Sequence, residues 1–144
     1  MKRLYEKNLD RVLLAIGGTK VQTGFVTDAE ARKILQRGRA VAGRNPWAVP
    51  GLTSADLAGM RYAARQGVDL MHGFALNPVG HWVPHTWATV DGVVLDDLER
   101  GGYFGYVLNA VETDRYLEEH LVVGAKVKPA LVAILRSRVA RKAV

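Results

Sequence analysis

The residues best suited to chemistry lie around a short turn near the middle of the chain. Asp91-Gly92 separates two apolar runs, which is the pattern of a two-residue β-hairpin. In that register His85 and Asp96 share one face as diagonal neighbours, whereas Asp97 points to the other face. A carboxylate beside an imidazole fixes its tautomer and stabilises its cation, as a general base requires. The alternative is that the two side chains only satisfy each other's hydrogen-bonding groups and have a structural role.

Three segments around this pair form a further pattern: His85-Thr86-Trp87, residues 91–96 and Tyr103-Phe104-Gly105. They resemble the HAW…DGxVxD…YFG pattern of small uncharacterised bacterial and phage proteins, with threonine in place of the alanine, and thereby the histidine-to-aspartate half of the transglutaminase-like, papain-related superfamily. His72-Gly73-Phe74-Ala75 fits the strand before the histidine. In that superfamily a histidine takes a proton from a cysteine nucleophile and an aspartate orients the histidine. The resemblance implies that His85 matches this histidine and that Asp96 matches this aspartate.

The chain departs from that superfamily at the nucleophile, because it contains no cysteine. Thiolate catalysis, disulfides and cysteine-ligated zinc sites are therefore excluded. Ser54 or Thr53 is a possible replacement, but both are better explained as caps of the helix that follows. The missing cysteine moves the expectation from catalysis towards binding, as in a pseudoenzyme that retains the His85–Asp96 pair.

Other candidate ligand sets in the sequence are weaker. His81 and His85 are four residues apart, but the neighbouring proline and tryptophans favour an extended chain, in which they would lie about 13 Å apart. Together with His72, Asp96 and Asp97, these histidines could still form a composite metal site, which stays open as an alternative. Our expectation is no metal and no other cofactor, and no glycine-rich phosphate-binding loop is found.

Positive charge is concentrated at the C-terminal end of the sequence. The 144 residues contain 20 Lys and Arg against 14 Asp and Glu, a net charge of +6, and residues 1–124 sum to zero. Six cations and no acid occupy residues 125–144: Lys126, Lys128, Arg136, Arg138, Arg141 and Lys142. These are the candidate binding residues for an acidic protein or for nucleic-acid phosphates, and keeping an apolar helix soluble is the alternative role.

The hydrophobic pattern predicts an α+β domain that positions the hairpin. Helices are predicted over residues 5–16, 27–39, 53–66 and 113–121, with a last helix opened by Pro129. An antiparallel sheet of about four strands is predicted over roughly residues 68–108, and its aromatic residues are expected in the core. We expect His120 on a helix surface. Residues 1–124 are assigned to a single domain, and residues 125–144 to a basic C-terminal helix packed on it or extending from it.

Three functions are compatible with these features. The leading expectation is a non-catalytic macromolecule-binding protein, a small bacterial or phage accessory or inhibitor protein on a cysteine-less transglutaminase-like scaffold. The alternatives are a hydrolase or acyl transferase that uses His85 and Asp96, and a nucleic-acid-binding protein that uses the C-terminal helix. We expect no membrane segment, no secretory signal peptide and a cytoplasmic location, because the longest uninterrupted apolar run, residues 130–135, has only six residues.

Overall fold

The computed structural model describes residues 3–22, 26–41, 47–64 and 66–120. The helices of these ranges are α1 (Leu4–Ile16), α2 (Asp28–Arg37), α3 (Ser54–Ala63) and α4 (Ala110–His120). The strands are β1 (Lys20–Val21), β2 (Arg39–Ala40), β3 (Trp47–Ala48), β4 (Val68–Leu76), β5 (His81–Val90), β6 (Val93–Asp96) and β7 (Gly102–Val107). The predicted basic helix of residues 125–144, with its six candidate binding residues, lies outside the described ranges.

The strands form one mostly antiparallel sheet, which confirms the α+β class. Six of them lie in the order β2-β7-β4-β5-β6-β3, and β1 pairs with β5 beside this row. The four longer strands, β4 to β7, lie where the sequence pattern predicts them. The expected number of about four strands was wrong, because three two-residue strands join the sheet, and β1 and β3 do so in parallel. Two residues are too few to show an alternating pattern.

The β5–β6 hairpin has the register expected from its turn. Val90 pairs with Val93 and Thr89 with Val94, so Asp91 and Gly92 are the two turn residues. Both have positive φ, 50° and 83° respectively, as a type I′ turn requires. This register fixes which side chains of β5 and β6 share a face.

Side-chain caps determine where three of the helices begin. Thr53 and Asp56 form a complete capping box at the start of α3, and the Thr27 hydroxyl accepts the Glu30 N–H at 3.1 Å at the start of α2. α4 begins at residue 110 instead of the predicted 113. Asn109 supplies its cap, because the Asn109 side chain accepts the Glu112 N–H and the Glu112 side chain accepts the Asn109 N–H, each at 2.9 Å.

Contacts group the described residues into two compact units. The first contains α1, β1, α2, β2 and the β4–β5 turn, and its two helices pack on each other. Leu13 and Ile34 are buried in it, and the Trp82 indole donates a hydrogen bond to the Gly17 carbonyl at 2.9 Å, which ties the end of α1 to β5. The indole is fully buried, as the expectation of an aromatic core requires.

The second unit contains β3, α3, the β5–β6 turn and α4. Leu57 and Met60 of α3 pack with Leu70 of β4 and Leu95 of β6 in its core. Burial raises the pKa of Tyr116, a side chain of α4, and its hydroxyl donates to the Ser54 carbonyl at 3.5 Å. None of the described helices is long and apolar enough to cross a membrane.

Two glycine substitutions test this packing. A side chain at Gly73 would press against the Phe104 carbonyl oxygen and the Gly105 backbone, whereas one at Gly59 in α3 meets nothing within 4 Å. We expect Gly73→Ala to lower the free energy of unfolding by about 3 kcal/mol. Gly59→Ala should raise it by about 1 kcal/mol, because alanine is the better helix former. Urea denaturation followed by circular dichroism measures both values, and equal effects would contradict the packing.

Candidate functional site

The hairpin brings His85, Asp96 and Asp97 together where β6 ends alongside the middle of β5. One ligand atom of each residue, a ring nitrogen or a carboxylate oxygen, lies within 4.8 Å of the other two. Asp96 is only 2% exposed, and the other two side chains are half-buried. His85 and Asp96 are thus as close as the hairpin register predicts. We call these three residues the hairpin cluster.

The expectation that Asp97 points to the other face was wrong. β6 ends at Asp96, so the alternation of side chains along a strand no longer applies to the next residue. The Asp97 backbone N–H donates to Asp96 Oδ1 at 2.8 Å, within a bend of the chain. The bend allows the Asp97 carboxylate to join the cluster instead of facing away from it.

The hairpin cluster combines one nitrogen base with two carboxylates. A buried carboxylate is costly unless positive charge or hydrogen bonds compensate it, and a second carboxylate close by raises that cost. Part of that compensation is visible, because Asp96 Oδ1 accepts the Asp97 backbone N–H. The same atoms are therefore chemically able to act as a base with its orienting group or as a mixed nitrogen and oxygen ligand set.

The two hydroxyl residues considered as nucleophiles lie at the start of α3. The Thr53 hydroxyl accepts the Asp56 N–H at 3.1 Å and donates to Asp56 Oδ2 at 3.0 Å. Its donor and acceptor capacity is used by the capping box, which supports the structural explanation of this residue. Ser54 is the first residue of the helix, and its carbonyl accepts the Tyr116 hydroxyl.

The remaining histidines have other surroundings. His72 Nδ1 lies 2.9 Å from the Thr86 hydroxyl, and its ring meets Tyr106 edge to face at 6.0 Å. His120 is half-buried on α4 and stacks on Tyr116 at 4.1 Å between centroids, a contact that the expected surface position did not include. Tyr116 and His120 are four residues apart, and residues at this spacing are neighbours on the surface of a helix. The spacing is therefore the sequence feature that indicates this contact.

A second site, which the sequence reasoning missed, is a cleft beside α1 and α2. Its lining residues are Arg3, Tyr5, Asp28, Ala29, Arg32, Lys33, Gln36 and Arg37, and we call it the α1–α2 cleft. All four of its cationic side chains belong to exposed residues, whereas its single carboxylate, that of Asp28, belongs to a half-buried one. The charge of the lining is therefore strongly positive.

Aromatic rings contact three of the four cations, and the Lys33 ammonium lies 6.0 Å from the centroid of the Tyr106 ring. The Arg32 guanidinium lies 5.6 Å from the centroid of the Tyr5 ring, and the Arg37 guanidinium lies 4.3 Å from that of Tyr106. The Tyr5 backbone N–H donates to Asp28 Oδ1 at 3.1 Å, which joins the start of α1 to the start of α2. A guanidinium that lies over an aromatic ring is attracted by the negative face of the ring, and this attraction favours its position there.

The cleft was missed because charge was summed over too long a segment. Residues 1–41 contain nine Lys and Arg against four Asp and Glu, while residues 42–124 contain five against ten. The zero sum of residues 1–124 hides this segregation. A charge count in shorter windows would have identified the basic N-terminal segment.

Searches against models of protein families, curated proteins and solved structures found no match to this chain.

The turn that positions the hairpin cluster is directly testable. Gly92 has φ +83°, in the left-handed region that favours glycine. We expect Gly92→Ala to reduce the free energy of unfolding by about 1–2 kcal/mol. Asp91→Asn should be nearly neutral, since asparagine tolerates positive φ. Thermal denaturation of the two variants measures the difference, and a neutral Gly92→Ala would contradict the assigned turn.

Proposed function

We propose that the protein is a non-catalytic binding protein whose partner is a polyanionic macromolecule. The observation that carries the proposal is the α1–α2 cleft, where four exposed cations surround a concave surface with one carboxylate. Clefts lined by one sign of charge concentrate field and attract oppositely charged partners. The partner's anionic groups would be carboxylates of an acidic protein or phosphates of a nucleic acid.

The arrangement of the cations favours recognition of anionic oxygens over recognition of bases. Guanidinium groups bind carboxylate and phosphate through paired N–H donors, and those of Arg32 and Arg37 lie over tyrosine rings. The rings of Tyr5 and Tyr106 are engaged by these cations, so they are poor stacking platforms for a nucleic-acid base. Binding is therefore expected to depend on charge and to be insensitive to nucleotide sequence.

Two features of the sequence add to this proposal. Residues 125–144 hold six further cations, which would add to the positive charge that attracts a polyanion. The absence of cysteine removes the nucleophile of the superfamily that the sequence resembles, in keeping with a binding role on a transglutaminase-like scaffold. A small bacterial or phage accessory or inhibitor protein is the setting that the resemblance implies.

A second candidate function is hydrolysis or acyl transfer with His85 as base and Asp96 as its orienting group. The specific observation in its favour is the short separation of the two side chains in the hairpin cluster. A water molecule or a substrate hydroxyl would have to act as the nucleophile. Turnover of activated acyl esters that disappears in His85→Ala would support this candidate over simple binding.

Neutralising the cleft should weaken polyanion binding. The double variant Arg32→Gln/Arg37→Gln is expected to lose roughly tenfold in affinity at 0.1 M salt, because two charge-assisted contacts are removed. Fluorescence anisotropy with a labelled DNA duplex and with a labelled polyglutamate peptide measures this change. The duplex and the peptide also distinguish the two kinds of partner.

Lys7→Gln/Arg11→Gln is the matched control for that variant. Both control residues are exposed on α1 but do not line the cleft, so the net charge changes equally while the cleft stays intact. The control should retain most of the affinity. An equal loss in both double variants would show that total charge, and not the cleft, determines binding.

The C-terminal cations should contribute separately. Replacing all six Lys and Arg of residues 125–144 by glutamine is expected to reduce the slope of log affinity against log salt, in proportion to the phosphates no longer contacted. His85→Ala should leave the affinity unchanged. An unchanged salt slope in the six-site variant would remove this segment from the binding surface.

A further inference from the structure

We infer that the hairpin cluster is a binding site for a divalent transition-metal ion of the Zn²⁺ type, held by His85, Asp96 and Asp97. This site is distinct in residues from the α1–α2 cleft, so it does not depend on the function proposed above. The three ligands lie within residues 85–97, a single β-hairpin.

The donor atoms are close enough to share one ion. Bonds of about 2.0–2.2 Å from a metal to nitrogen and oxygen place neighbouring ligand atoms roughly 3–4 Å apart. The ligand atoms of the three residues lie within 4.8 Å of one another, so small side-chain rotations bring them to that spacing. Two different donor types converge here, which distinguishes the cluster from a chance group of surface acids.

The composition of the cluster also suits a cation. Two of its three donor groups are carboxylates, and one of them belongs to Asp96, which is only 2% exposed. A divalent ion would use all three side chains as ligands.

The types of ligand select the class of metal. Imidazole nitrogen with carboxylate oxygen suits Zn²⁺ and similar ions, whereas Mg²⁺ and Ca²⁺ prefer ligand sets made only of oxygen. Three protein ligands leave a further coordination position for water, as in zinc sites of the open type. The contact from the Asp97 N–H to Asp96 Oδ1 is of the kind that orients a ligating carboxylate.

A ring nitrogen of His85 that binds a metal ion cannot also accept a proton as a general base, because both roles use the same lone pair. The ion would occupy the atom that a general base uses to accept a proton. A positive metal test therefore also decides against the second candidate function in its simple form.

Isothermal titration of the untagged, chelator-treated full chain with ZnCl₂ tests the inference. We expect one ion per chain, a higher melting temperature with Zn²⁺, and much weaker binding of Mg²⁺ and Ca²⁺. His85→Gln and Asp97→Asn should each weaken Zn²⁺ binding at least tenfold. Both substituted residues are half-buried, which makes these variants safer for folding than a change at the buried Asp96.

His81→Gln and Asp91→Asn are matched controls, because they remove a histidine and an aspartate of the same hairpin that do not belong to the cluster. The controls should bind Zn²⁺ as the wild type does. Absence of saturable one-to-one binding in the wild type would overturn the inference, as would an equal loss in the controls. The Arg32→Gln/Arg37→Gln variant should bind Zn²⁺ normally, so failure of the polyanion proposal and failure of the metal site are separable.

Discussion

The constraint on which the candidate chemistry depends is the register of the β5–β6 hairpin. Successive side chains of a strand alternate between faces, so a slip by one residue would exchange every neighbour across the pair. Positive φ at Asp91 and Gly92 confines the turn to two residues and thereby removes that freedom. The position of Asp96 beside His85 follows from this local backbone geometry.

Much of the fold could be predicted because its signals are local. The Asp-Gly turn, the threonine caps of α2 and α3, and the apolar periodicity of α1 each act over a few residues of chain. The start of α4 was misplaced because Asn109 competes with Thr113 as a cap, and the hydrogen bonds with Glu112 decide between them. The short strands depend on partners distant in sequence, and their own two residues carry no periodic signal.

The candidate sites show the same division between local and distant information. His85 and Asp96 were identified from alternation along paired strands, which holds as long as both strands continue. Asp97 was misplaced because alternation was extended one residue beyond the end of β6. The α1–α2 cleft needs two helices to pack together, and no pattern within either helix specifies the arrangement of the other. A shorter charge window would have indicated a basic segment, though not a cleft.

The position of Arg37 over the Tyr106 ring affects the entropy cost of binding an anion in the α1–α2 cleft. When a ligand immobilises a long cationic side chain, the lost conformational entropy costs about 0.5–1.5 kcal/mol of binding free energy. The guanidinium at 4.3 Å from the ring centroid has already given up part of that freedom during folding. A contact over an aromatic ring and paired N–H bonds to an anion use different parts of a guanidinium, so in general the two do not compete. The cleft is therefore preorganised, because part of the conformational entropy that anion binding would remove from Arg37 is already lost when the protein folds.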